Sequence, residues 1–548
     1  MKHRIILLAC LGFILHSPLS ILHSQELPQG YFRNPLDSDI GLSATFGEFR
    51  TNHFHSGLDM RTGGATGKPV YAAADGYVAK VSISPWGGGK ILYIMHPNGY
   101  TTVYMHLEGY AGKIGRAVLA EQYRAKSYSI NRTFGPEEMP VKKGQLVAYS
   151  GNSGGSGGPH LHFEVRRTDS PDLHTGARLF NPLHFGLPYT DNINPTIRGI
   201  RVYPIGGEPI TVDKGKAFSV NGPFYLGIYA TDAAEGSTAK NGVERVEVYL
   251  DGTLFFAYSP ESIVTDSSRM VNALIDYTLF RSTRQAYLLT RVLPGADGTW
   301  VSVRQGDGIF RLKTGQHKIQ VRVYDINDNL AEQTITVRCT DERPCPGPKT
   351  DMRYSEPFSY NGTGLRVEMP AHTLYADDHM RIDEGCIVTV EPTVNLIPPH
   401  CNYTLSIKGT GDCGVPPEKV TVVRLDGTKK YASKTSHQGG WYTTQVRDFG
   451  QFTLMVDTVA PTVRPINFSE SKPLKARTLK VRIGDDLSGV ETYNCYLNGS
   501  WVLAEYDGKS AMLAIDSAGK LRAGKNELTV EVTDGCGNVT RRCYSMTK

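Results

Sequence analysis

The stretch PHLHFEVR (159–166) decides the fold. Polar and apolar residues alternate along it, the period of a β-strand and not of a helix. Residues two apart on a strand point to one face, so His160 and His162 project side by side, and Glu164 shares their face on a regular strand. Short strand-like runs surround it: VYAAADGYVAKV (70–81), KILYIMHP (90–97), GYTTVYMHL (99–107) and GQLVAYSG (144–151). Gly, Pro, Asn and Asp separate these runs, as a β-rich domain requires. The one helix-like segment is RAVLAEQYRAK (116–126), inside a long connection from about 110 to 140. Residues 25–190 therefore read as one antiparallel β-domain, and the whole chain as all-β.

The texture changes after Pro188. His becomes sparse and β-branched runs dominate. NPTIRGIRVYP (194–204), KNGVERVEVYLDG (240–252) and GQHKIQVRVYDINDN (315–329) resemble APTVRPINF (460–468), DDLSGVETYNCYLNG (485–499) and GKNELTVEVTDGCGN (524–538). Each set ends in alternating apolar residues followed by an Asp and Asn turn. Period-two alternation at this spacing predicts β-sandwich modules of immunoglobulin-like type over 191–344 and 458–548. Between them, 345–457 reads as a middle β-domain. No clustered acid, base or nucleophile stands out in these stretches, which read as spacing or adhesion scaffold.

Lys2 and Arg4 precede an apolar run, IILLACLGFIL (5–15), too short for a bilayer and suited to a signal-peptide core. Residues 1–24 are thus expected to be a leader, with no membrane span after it. Of the 9 Cys, Cys10 leaves with the leader, and the other eight lie from Cys339 onward. In an exported chain these are disulfide candidates. Proximity favours Cys339 with Cys345, Cys401 with Cys413, and two of Cys495, Cys536 and Cys543. The formal net charge of +5 over 548 residues is small, which argues against nucleic acid as a partner.

Histidines carry the chemistry. HFHSGLD (53–59) holds His55 and Asp59 in an H-x-x-x-D arrangement, within a Gly-punctuated loop that can bend both side chains to one ion. His160 and His162 come from one strand, and His106 ends the neighbouring strand pattern TVYMHL. A metal can take one of the paired histidines while the other faces the substrate. Two imidazoles and one carboxylate are the ligand count of a catalytic zinc site, which leaves a fourth position for water. His53, His96 and Glu164 rank lower; Glu164 suits a partner for an imidazole N–H.

These segments resemble the M23 (LytM, lysostaphin-like) zinc metallopeptidases over about residues 40–190. FGEFRTNHFHSGLDMRT (46–62), VYAAADGYV (70–78), the VYMHL strand and VAYSGNSGGSGGPHLHFEVR (147–166) carry the resemblance. Carried over residue by residue, it implies His55, Asp59 and His162 as Zn2+ ligands and His106 and His160 as the two non-ligand active-site histidines. It also implies hydrolysis of peptide cross-links in peptidoglycan stem peptides, with a zinc-held water as nucleophile assisted by the two histidines. The expected place is extracytoplasmic: periplasm, envelope or secreted. The 110–140 excursion is longer than a compact member needs, and reads as a lid, a groove wall or a plain surface excursion. Two rival readings stand beside the hydrolase: a non-catalytic wall-binding or regulatory envelope protein, and a secreted protease on Gly-rich proteins.

Overall fold

The computed structural model describes residues 27–548 apart from 214, 234–239, 297, 299, 342–348, 410–413, 471–472 and 475–476. The expected leader, with Cys10, and Cys345 and Cys413 lie outside the described residues. Among the described residues no helix is long and apolar enough to cross a membrane. The chain is all-β, as its sequence pattern predicts.

The elements that build the first domain are β1 (Leu42–Ala44), β2 (Leu58–Arg61), β3 (Gly76–Ile83), β4 (Lys90–Met95), β5 (Thr101–Met105), α1 (Gly112–Ala125), β6 (Ile130–Thr133) and β7 (His160–Arg167). They pair antiparallel in the order β1-β2-β7-β5-β4-β3-β6. Strand β7 is therefore central, with β2 on one side and β5 on the other. Its alternation does not mean one wet face. Leu161, Phe163 and Val165 are fully buried in the core, and His162, Glu164 and Arg166 are also buried, at 5%, 0% and 3% exposure. The polar face is covered and its groups satisfy one another, as burial demands.

The helix expected at 116–126 forms as α1, one turn longer at its start, with Ile114 and Val118 buried. Together with β6, which pairs along the outer edge of β3, it packs the 110–140 excursion onto the domain instead of leaving it as a lid.

Downstream the chain builds three pairs of sheets. Thr196–Pro204, Phe224–Thr231 and their neighbours face a six-stranded sheet centred on Gly315–Tyr324. Residues 358–456 form two five-stranded sheets around a core of their own. Residues 462–547 form two four-stranded sheets. The first and last pairs share one continuous apolar core with the first domain. Ser262–Val264 pairs with Arg178–Phe180, which pairs with β7, so a downstream strand extends the first domain's own sheet.

The bridge expected among Cys495, Cys536 and Cys543 is not formed; all three thiols are free. Cys495 and Cys543 lie on strands that flank Lys525–Asp534, opposite Val530 and Thr529 respectively. They are two strands apart and on opposite faces, buried and exposed, beyond the reach of an S–S bond. Cys339, Cys386 and Cys401 are free as well.

Candidate metal centre

Register places the site. On β7, His162 stands opposite Asp59 of β2 on one side and Met105 of β5 on the other. His55 precedes β2 in a loop pinned by backbone bonds between Gly47 and His55 and between His55 and Glu48. Three atoms converge: His55 Nε2 lies 3.0 Å from Asp59 Oδ1 and 3.1 Å from His162 Nδ1, and His162 Nδ1 lies 2.8 Å from Asp59 Oδ1. The far nitrogen of each imidazole already has an acceptor. His55 Nδ1–H donates to the Thr45 carbonyl at 2.6 Å, and His162 Nε2–H donates to Glu164 Oε1 at 3.0 Å. Two imidazole lone pairs and a carboxylate oxygen are thus turned on one point. Bare acceptors cannot bond one another, so the trio must either share a proton or hold a cation. The spacing is slightly tighter than the roughly 3.3 Å of donors held about 2.0–2.1 Å from a tetrahedral ion. The group fits the residues present.

The electrostatics agree. Burial alone raises the Asp59 carboxyl, but the surrounding imidazoles of His55, His160 and His162 hold it well below the usual range. Burial alone lowers His162, but Asp59 and Glu164 push it up to about 9. Glu164 is itself buried, and Arg166 and His162 keep it ionised. Glu164 also accepts from Ser56 Oγ and from Arg166 Nε. A buried charge chain therefore runs Arg166–Glu164–His162–Asp59, each link compensating the next.

Two further histidines face the trio. The His106 and His160 rings lie 4.8 Å apart, and His106 lies 6.0 Å from His162. His106 sits just past β5 with φ at +60, a left-handed conformation uncommon for a side-chain-bearing residue. Its Nδ1–H donates to the Ser153 carbonyl at 2.9 Å. His160 Nδ1–H donates to the Gly158 carbonyl at 2.8 Å, with Ser156 Oγ at 3.2 Å. These bonds set both tautomers, leaving a lone pair on each Nε2. His160 Nε2 is buried without a hydrogen-bond partner among the described residues, 3.3 Å from Asp59 Oδ1. Burial, with His162 adding to it, pushes His106 down to about 4, so it stands neutral at pH 7.

The Gly-rich loop 151–158 orients this pair. A Cβ on Gly151 would sit 2.4 Å from the Glu108 backbone nitrogen, and one on Gly154 would meet the Gly89 backbone at the same distance. Only glycine lets the loop lie this close to His106 and to the turn at 87–89. From the far end of the chain, Lys509 Nζ donates to the carbonyls of Asn152 and Ser156.

All five histidine and aspartate positions singled out in the sequence come together here, and Glu164 joins them. His53 and His96 do not. His53 is exposed and bonds the Thr51 carbonyl, while His96 is buried between Asp75 and Thr102. Sequence reasoning missed Ser156 as a partner of His160, Thr45 as the anchor of His55, and Lys509. The first lies in a stretch that reads as a plain turn. The other two act through contacts across folded loops.

Comparison with known proteins places this geometry. Residues 53–172 match the model of peptidase family M23, and residues 349–457 match that of a Zu5-like domain. An uncharacterized metalloprotease of Haemophilus influenzae is 33% identical over 174 residues, 31% of this chain and 30% of that protein. The peptidoglycan DD-endopeptidase ShyA of Vibrio cholerae is 29% identical over 149 residues, 26% of this chain and 29% of that protein. A crystal structure of a zinc-containing peptidase from Vibrio cholerae is 30% identical, covering 25% of this chain and 37% of the other, with a TM-score of 0.19. The chain spans about 30% of the length of the curated relatives it matches.

Proposed function

We propose that this chain, which carries a peptidase family M23 domain, is a zinc-dependent endopeptidase that hydrolyses peptide cross-links of peptidoglycan outside the cytoplasm. One observation carries the reading: His55 Nε2, Asp59 Oδ1 and His162 Nδ1 converge on one point in a spacing that suits a metal ion, and two more imidazoles face them. Three of the similar proteins are named for peptidoglycan DD-endopeptidase activity, which favours this polymer over Gly-rich proteins as the substrate.

His55, Asp59 and His162 would hold the zinc, with Glu164 orienting His162 and Thr45 orienting His55. A bound zinc ion supplies a Lewis acid that makes water nucleophilic near neutral pH and polarises the scissile carbonyl. The chain's own groups move the protons. A neutral imidazole with its lone pair on Nε2, at His106 or His160, accepts the proton of the attacking water. The resulting imidazolium returns it to the nitrogen of the leaving amine. The other imidazole, once it has taken up a proton on Nε2, steadies the oxyanion as the carbonyl becomes tetrahedral. The Ser153 and Gly158 carbonyls keep both rings in the tautomer this requires.

Digestion of purified cross-linked muropeptides, read by mass spectrometry, tests the reading. New products should appear with the zinc-loaded chain and vanish with chelator. No products at any zinc level would favour a wall-binding or regulatory protein instead. Cleavage of Gly-rich proteins alone would favour the secreted protease.

A further inference from the structure

The Asp and Asn turns that recur downstream have no part in the peptidase site, yet they form the second buried polar assembly of the molecule. We propose that Asp191, Asp232 and Asp325 bind a calcium ion that fixes the linker entering the first β-sandwich.

The three carboxylates each place an oxygen within 4.8 Å of the others. Two oxygens each about 2.4 Å from one ion lie at most about 4.8 Å apart, so the spacing allows a shared calcium. All three residues are buried, at 3%, 4% and 2% exposure. The charged neighbours acting on Asp232 are Asp325 and Asp191, both repulsive. Buried carboxylates without a cation are costly.

A second observation points to a ligand. Asp232 Oδ1 is buried with no hydrogen-bond partner among the described residues. Its residue is 4% exposed and belongs to the triad. Asn241, 1% exposed, also has both side-chain polar atoms unpartnered among the described residues. Asp232 and Asn241 exchange backbone bonds in an antiparallel bridge, which sets their side chains on the same face. An amide oxygen thus lies on the side of the triad. The donor set is oxygen alone, with no imidazole or thiolate, which selects calcium or magnesium over zinc. Three carboxylates in one dry site favour calcium, because magnesium keeps several waters and takes one or two carboxylates.

A similar arrangement recurs in the last sandwich. Asp457, Asp485 and Asp534 form a second such triad, and Asp485 Oδ1 is again unpartnered among the described residues. Asn329 Nδ2 donates to Asp191 O at 2.9 Å and to Asp325 Oδ2 at 2.7 Å; Asn538 Nδ2 donates to Asp457 O at 3.0 Å and to Asp534 Oδ2 at 2.8 Å. Asp191 and Asp457 each stand four residues before the Pro that opens a sandwich, Pro195 and Pro461. In both modules the ion would tie the incoming linker to two loop ends.

The test uses the zinc-loaded full chain in calcium-free buffer, titrated calorimetrically with calcium chloride, with thermal unfolding alongside. Calcium should bind with a dissociation constant of about 0.1–1 mM, in the range of extracellular modules, and raise the melting temperature, while magnesium does not substitute. Asp232→Asn should lose one equivalent of calcium and part of that rise. Terbium provides a readout in folded protein, because Tyr189 OH lies 3.3 Å from Asp191 Oδ2. Emission excited through tyrosine should fall in Tyr189→Phe, which leaves the carboxylates in place. No heat and no thermal shift up to about 10 mM calcium, ten times the weakest affinity expected, would overturn the proposal. So would unchanged stoichiometry in Asp232→Asn, or unchanged terbium emission in Tyr189→Phe.

Discussion

At the scale of the residue, the centre is a division of labour among four imidazoles. His55 and His162 spend their outward nitrogens on Thr45 and Glu164, so their inward nitrogens are left for the proposed metal. His106 and His160 are held by backbone carbonyls and keep their inward lone pairs for protons. His162→Ala should therefore lose the zinc, measured by metal content. His106→Ala should keep it and lose roughly 10²–10⁴-fold in rate, the worth of a general acid–base group. Glu164→Gln should weaken zinc binding by about 10–100-fold in a competition titration, the usual cost of losing a ligand's orienting partner. His96 acts on stability instead. Burial holds it down at about 4 against an ordinary value of 6.5. It folds neutral, so its contribution is complete above pH 6.5 and is lost as pH falls from there toward 4. That loss amounts to about 2 kcal/mol by pH 5. His96→Gln should flatten the difference between denaturant midpoints at pH 7.5 and pH 5 relative to the parent chain. These residues were legible in the sequence because their spacing is local: His160 and His162 on one strand, His55 and Asp59 in one loop. The tautomers were not, since they depend on the carbonyls of Thr45, Ser153 and Gly158 after the loops have folded.

At the scale of the element, β7 and the loop before it form one device. The strand holds His162, and the loop at 151–158 holds His106 and His160 through Ser153, Ser156 and Gly158. Lys509, more than 350 positions away, clamps that loop at Asn152 and Ser156. Beside it, Lys90 pairs with Glu505 at 2.8 Å and Trp86 covers Gly508. Lys509→Ala should leave zinc content unchanged and lower kcat about tenfold with little change in KM, since misplacing groups by about 1 Å costs up to about 10²-fold. Lys509→Arg should restore part of the loss. An unchanged kcat would make Lys509 a plain docking contact. The 110–140 excursion serves the same junction, with Tyr123 of α1 meeting Trp501 edge-on at 5.3 Å. Its helix was legible from RAVLAEQYRAK. Its role as a buttress was not, because the partner surface belongs to the last ninety residues and leaves no mark on the helix's own pattern.

At the scale of the whole molecule, the first domain is not a free unit on a flexible stalk. Phe54 packs against Trp300 at 5.2 Å and Phe49 against Tyr258 at 5.6 Å, and the Phe54 backbone N–H donates to Ser268 Oγ. Trp300 is 1% exposed, so Trp300→Ala should cost about 3–5 kcal/mol and loosen the loop that leads into His55, seen as a lower melting temperature. The strand pattern and the repeated Asp–Asn turns made the sandwiches legible. Their docking was not, because a continuous core is assembled from pairs far apart in sequence, each unremarkable alone. The bridge expected among the last three cysteines failed for a related reason: Cys495 and Cys543 are close in sequence but separated by one strand and by opposite faces. The central claim is that a trio of ligands and a pair of proton carriers make one hydrolytic centre. Its most direct test is the rate of muropeptide cleavage per bound zinc, measured for the parent chain and for His160→Ala. Each protein should hold one zinc, with cleavage by the parent and a loss of at least about 10²-fold in the variant. Equal rates in the two proteins, or no cleavage by a parent chain carrying its zinc, would contradict it.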